Sequence, residues 1–110
     1  MARTALNIKR IVKQYVDQLQ PEIRVDKVIL FGSHARGTAH EWSDIDIAII
    51  SNDFKKMKPI ERIEFLAVRR IGCDSALSPL AYTLDAYENA SHLDFLGEIK
   101  RTGKVVYEAK

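Results

Sequence analysis

Apolar residues return at helical spacing near the start of the chain: Ile8, Ile11, Val12, Tyr15, Val16 and Leu19 fall on one stripe. This pattern predicts an amphipathic helix over residues 4 to 19, stopped before Pro21. The period then changes. "RVDKVILFG" reads as a strand entering the core, ended by Gly32. "SDIDIAII" reads as a second strand, with Ile45, Ile47 and Ile49 on one face and Asp44 and Asp46 at the start of the other.

After the loop "SNDFKKMK", Pro59 suits the first turn of a helix over 59 to 71, with Ile60, Ile63, Leu66, Ala67 and Ile71 as its buried stripe and Gly72 as its stop. "ALSPLAYT" is a third strand, which Pro79 confines to an edge or a bulge. Thr83 can cap a short helix, "LDAYENA". Ser91 can cap another over 92 to 101, with Leu93, Leu96 and Ile99 inward and its end near Gly103. "KVVYE" is a short final strand. Helices and strands alternate, so the fold class is α/β or α+β: a small mixed sheet with helices packed on it, expected to form one domain over residues 1–110.

Composition changes this picture little. An apolar content of 46% and a charged content of 29% are those of an ordinary globular protein. No stretch is long and apolar enough for a bilayer, and "MARTALNIKR" lacks the apolar centre of a signal peptide, so a cytoplasmic location and no membrane partner are expected. A net charge of +2 is too small to argue for a nucleic-acid surface, and direct nucleic-acid binding is not expected. Cys73 is the only cysteine, so it forms no internal disulfide; it reads as a small, half-buried hydrophobe, and no Cys/His cluster points to zinc.

The chemistry lies between the first two strands. Ten residues separate Ser33 from Asp44, enough for a turn or two of helix. A connection this short favours antiparallel pairing, which brings Gly32, Ser33, Asp44 and Asp46 to one edge of the sheet. Gly32 lets a ligand approach the backbone, and Ser33 offers a hydroxyl and an amide at a helix start, groups that suit phosphate. Two acids one residue apart repel unless a cation sits between them, and hard oxygen ligands suit Mg²⁺ bound together with substrate phosphates. The combination points to phosphoryl or nucleotidyl transfer from a Mg-bound nucleoside triphosphate. Ser43 is placed to hydrogen-bond local backbone and orient the acids. His34 and His40 flank the site, where the sequence gives them no role, and Trp42 either stacks on a base or packs locally.

"GSHARGTAHEWSDIDIAII" resembles the Gly-Ser…Asp-x-Asp signature of the DNA polymerase β-type nucleotidyltransferases. Gly-Ser-x-Ala-Arg-Gly followed by Ser-Asp-x-Asp is similar to its small stand-alone branch, the minimal nucleotidyltransferases, as are "YTLDAYENA" and "EIKRTGKVVYE". The resemblance implies the nucleotidyltransferase fold, with Gly32 and Ser33 on the triphosphate, Arg36 contacting phosphate or partner, and Asp44 and Asp46 as catalytic metal-binding acids. It implies transfer of NMP from an NTP, ATP first, to a hydroxyl on a partner protein, with the chain acting as antitoxin to a HEPN-domain toxin. The alternative is a catalytically weak nucleotide-binding module that neutralises its partner stoichiometrically. The family's third acid belongs on the third strand near Ser78 or Pro79, and neither is a carboxylate; Asp74 lies earlier, in the loop. Oligomeric state stays open, a homo-oligomer included.

Overall fold

A computed structural model describes residues 4–40 and 43–110. Its elements, in chain order, are α1 (Ala5–Leu19), β1 (Lys27–Phe31), α2 (Ser33–Arg36), β2 (Ile45–Ile50), a 3-10 turn (Asn52–Lys56), α3 (Pro59–Arg69), β3 (Leu77–Tyr82), α4 (Leu84–Glu88), α5 (Phe95–Thr102) and β4 (Lys104–Glu108). The four strands form one mixed sheet in the order β3-β2-β1-β4. β1 is antiparallel to both β2 and β4, whereas β2 and β3 are parallel. The fold class and the antiparallel pairing of the first two strands therefore stand as read from the sequence.

Strand alternation divides the core in two. Val28, Leu30, Ile45, Ile47 and Ile49 face α1, whose Ile8, Val12, Tyr15, Val16 and Leu19 are buried against them. Each such side chain withdrawn from water contributes about 1.5–3 kcal/mol, so α1 is firmly docked. Thr4 caps the helix by accepting from the Asn7 amide (3.1 Å). Ile29, Ala48 and Ile50 point the other way, towards Tyr87 of α4 and Leu96 and Ile99 of α5. The sheet is thus covered on both faces.

Two sequence expectations fail in instructive ways. Of the stripe assigned to α3, only Leu66 is buried; Ile63 is 64% and Ile71 79% exposed, and Ile60 and Ala67 are exposed too. α3 packs against α1 and β3, the last strand of the sheet. A helix at a margin meets the core along one narrow line, here Leu66 and the half-buried Phe65, whose ring meets Phe54 edge-on with centroids 6.4 Å apart. The Tyr15 hydroxyl donates to the Leu66 carbonyl at 2.7 Å and ties α1 to α3.

The second failure concerns α5. Its cap is Asp94, not Ser91, and Leu93 lies before the helix, 85% exposed. The Asp94 carboxylate accepts from both the Gly97 amide (2.7 Å) and the Ser91 amide (3.2 Å), while Ser91 Oγ accepts from Leu93 N (3.1 Å) and closes a turn instead. A charged carboxylate accepting from two amides wins over a neutral hydroxyl.

Pro79 lies on the edge strand, as expected. Arg70 blunts that edge further: its Nη1 donates to the Ser75 carbonyl (2.8 Å) and the Leu77 carbonyl (3.1 Å). On β3 itself a missing donor at Pro79 and an occupied acceptor at Leu77 discourage pairing with another strand.

Candidate active site

β1 delivers Phe31 opposite Asp46, and the chain then reverses through Gly32. Gly32 has φ 73° and ψ −151°, a conformation costly for any residue with a side chain. A Cβ there would collide with Asp46 Oδ2 and stand 3.2 Å from its Cγ. The Asp46 carboxylate thus occupies the space that a side chain at position 32 would take. The turn continues with Ala35 N and Arg36 N each donating to the Gly32 carbonyl at 3.1 Å. Thr38 N donates to the Ser33 carbonyl (3.0 Å), and Gly37, at φ 75°, ends α2 after a single turn. One turn aligns few peptide dipoles, so any affinity for an anion here rests on local amides and hydroxyls rather than on a macrodipole.

On the other side, just ahead of β2, Ser43 is tied to His40: His40 N donates to Ser43 Oγ (2.9 Å) and Ser43 N to the His40 carbonyl (3.0 Å). Asp44 is exposed and Asp46 half-buried. Burial raises the proton affinity of Asp46, and the negative charge of Asp44 raises it further; the positive charges of His34 and Arg36 oppose the rise. The structure therefore gathers Gly32, Ser33, Arg36, Asp44 and Asp46 at one end of the β1–β2 pair, as the sequence reading required.

His34 was placed beside the site from the sequence but given no role there. It is half-buried, its charge acts on Asp46, and its Nε2 is buried without a hydrogen-bond partner among the described residues. Nothing in "GSHARG" separates an inward histidine from an exposed one, because the turn that points it inward depends on Gly32 and Gly37. Trp42 lies outside the described residues. Cys73 is half-buried, and burial raises its thiol pKa, in keeping with an inert packing role.

The register of the third strand shows which residues lie level with the paired acids. Ser78 is level with Asp46, and Pro79 with Ile47. By alternation Ser78 and Leu80 share the face of Asp46, and neither is an acid. Asp74 stays in the loop before β3, its carboxylate accepting from Ala76 N at 2.9 Å. Among the described residues, no group of three or more His, Cys, Asp or Glu side chains converges to hold a metal. Beside this flank lies a groove of about 640 Å³, lined by Asp44, Arg62, Ile63, Arg70, Ser78 and Leu80 among others.

The Nucleotidyltransferase domain family matches residues 9–102, a span that includes the Gly32–Ser33 turn and both aspartates. The chain belongs to this family. It is 29% identical to the "Putative protein adenylyltransferase MJ0141" of Methanocaldococcus jannaschii, over 89% of this chain and 97% of that protein. It is 34% identical to the "Probable protein adenylyltransferase MntA" of Haemophilus influenzae, over 91% of this chain and 78% of the relative. The sequence resemblance to the minimal nucleotidyltransferases therefore holds.

Solved structures agree with this nucleotidyltransferase fold. A crystal structure of a "putative nucleotidyltransferase" from Sulfolobus solfataricus superposes with a TM-score of 0.68, covering 98% of this chain and 90% of that one; at 16% identity it bears on fold alone. A toxin–antitoxin crystal structure with AMP-PNP aligns at a TM-score of 0.61 and 25% identity, over 89% of this chain and 73% of that one. Among the described residues no helix is long and apolar enough to cross a membrane.

Proposed function

We propose that this nucleotidyltransferase domain moves the NMP group of a Mg-bound NTP, ATP first, onto a hydroxyl of a partner protein, and that the partner is a HEPN-type toxin which the chain restrains as an antitoxin. The observation that carries this reading is the interlock of Gly32 with Asp46, which seats one of the two carboxylates directly against the Gly32–Ser33 turn. Relatives named as protein adenylyltransferases support ATP as donor and protein as acceptor. The related toxin–antitoxin structure with AMP-PNP supports a toxin as partner.

In this reading Gly32 and Ser33 hold the triphosphate tail through backbone amide and hydroxyl, and Arg36 balances its charge from the exposed side of α2. Asp44 and Asp46 would hold Mg²⁺. The donor set fits: burial and the neighbouring charge of Asp44 raise the proton affinity of Asp46, which favours a cation beside these two hard carboxylates, and with only two protein acids the other positions fall to phosphate oxygens and water. When bound, the metal would offset charge on the α-phosphate and on the departing pyrophosphate. The acceptor oxygen forms a bond to the α-phosphorus as the bond from that phosphorus to the bridging oxygen of the β-phosphate breaks. Pyrophosphate leaves, and the hydroxyl proton passes to solvent or to a base on the partner. Ser78 cannot take it at neutral pH.

That last point supports a second reading, in which the chain binds nucleotide and partner but turns over slowly and restrains the toxin by occupancy. Transfer of label from α-³²P ATP with Mg²⁺ to a co-expressed HEPN-domain protein separates the two. Transfer abolished by Asp44→Asn and by Asp46→Asn identifies the enzyme. Neutralisation of the toxin that survives both changes identifies the binder, and absence of any nucleotide binding refutes both.

A further inference from the structure

Resting on the nucleotide reading above, we propose that Phe95, backed by Phe31, is the stacking platform for the base of the bound nucleotide. Phe31 is the residue opposite Asp46 and the one immediately before Gly32, so its ring stands beside the phosphate turn. It packs on the sheet face that carries Ala48 and Ile50, the face that Asp46 shares by alternation. Phe95 meets Phe31 at right angles, with centroids 5.8 Å apart and an interplanar angle of 85°. Yet Phe95 is 55% exposed, although Leu96 and Ile99 in the same helix are buried. A large aromatic ring is therefore held against the wall of the site with much of its surface in water.

The backbone that presents this ring is fixed. Asp94 ties the Ser91 and Gly97 amides together, and a Cβ at Gly97 would collide with the Ser91 carbonyl, so the turn before α5 lies directly on the helix. Tyr82, another aromatic packed on this face, is level with Ile50, at the far end of the strand from Asp46. A base one ribose away from phosphates at Gly32–Ser33 thus meets Phe95 rather than Tyr82. Stacking on an aromatic ring accepts any base, because every base has a π face, and is strongest for the larger ring system. The platform accordingly favours purine over pyrimidine nucleotides and does not by itself separate ATP from GTP.

The test is titration calorimetry with Mg²⁺, using ATP and, as a probe without a base, inorganic tripolyphosphate. Phe95→Ala should weaken ATP binding about tenfold, as removal of one base–aromatic stack does, and leave tripolyphosphate binding unchanged. Phe95→Trp should keep or tighten ATP binding, which guards against a folding defect in the alanine variant. ATP binding by Phe95→Ala equal to the parent, or equal losses for ATP and tripolyphosphate, would overturn the platform while leaving the phosphate site in place. A parent protein that binds neither probe overturns the nucleotide reading itself, and the platform with it.

Discussion

The two flanks of Asp46 are built to different standards. Towards β1 the carboxylate is wedged into the space left by Gly32, opposite Phe31, behind a turn closed by backbone hydrogen bonds. Towards β3 it faces Ser78, with no acid on the same face of that strand, and beyond it a groove that reaches Asp44. On the proposed function, the contrast teaches which half of a two-substrate reaction the chain would equip by itself: the nucleotide side would be preorganised, and the acceptor side would be left to whatever molecule fills the groove.

The largest effect should come from breaking the crowded flank. Gly32→Val puts a branched side chain onto Asp46 and into a φ that it tolerates poorly. Nucleotide transfer should fall at least about 100-fold, the loss that misplacement of a reacting group by an ångström produces. The strained backbone should cost about 1–3 kcal/mol in urea unfolding. Transfer by Gly32→Val at the parental rate would mean that the interlock is incidental. The open flank predicts the opposite sign. Ser78→Asp supplies a carboxylate level with Asp46, and if proton removal from the acceptor limits the rate, transfer should rise about 10- to 100-fold, near the low end for a positioned base. A rate that does not move would show that the partner already brings the base.

The crowded flank was legible in the sequence because its cause is local. Two acids at period two, a glycine at a strand end and a ten-residue connection leave few ways to pair the strands. The register of Ser78 against Asp46 could be placed only to within a residue, since it depends on parallel pairing between strands far apart in the chain. α3 failed for a related reason. Ile60, Ile63, Ala67 and Ile71 have the spacing of a buried stripe, but burial requires a surface opposite, and the sheet ends at β3. The α5 cap turned on a choice between Ser91 and Asp94, both common capping residue types, and the Asp94 carboxylate prevails by holding two amides at once. His34 was given no role because its direction follows from two positive-φ glycines rather than from its neighbours' polarity.

A smaller effect tests the electrostatics of the same carboxylate. Burial and Asp44 raise the pKa of Asp46 above its usual 3.8 in the folded protein, so the folded state holds that proton more tightly than the unfolded chain does. The contribution of this group to stability is full below 3.8 and is lost as pH rises through the elevated folded value. With metal chelated at neutral pH, Asp46→Asn should therefore melt at a higher temperature than the parent, and the gap should close on acidification. Addition of Mg²⁺ should narrow it as well, by stabilising the parent alone. An Asp46→Asn variant that melts lower than the parent at neutral pH would indicate that the carboxylate is satisfied within the protein, leaving no need for a cation.

The smallest effect belongs to the turn in front of the acids. Ser43→Ala removes the acceptor for the His40 amide, but that amide is exposed and can bond water instead. The cost should be about 0.5 kcal/mol, the low end for a neutral hydrogen bond, or roughly 2–4 °C in Tm for a chain of this size. Transfer should fall only slightly, because Asp46 takes its position from the ladder with Phe31 and from Gly32 rather than from the loop. Asp44 stands outside that ladder, and any loss should appear as a weaker response to Mg²⁺ rather than as weaker binding of tripolyphosphate. Loss of transfer as deep as that of Gly32→Val would place the loop, not the strand pair, in control of the acids, and the asymmetry between the two flanks would have to be assigned to a different cause.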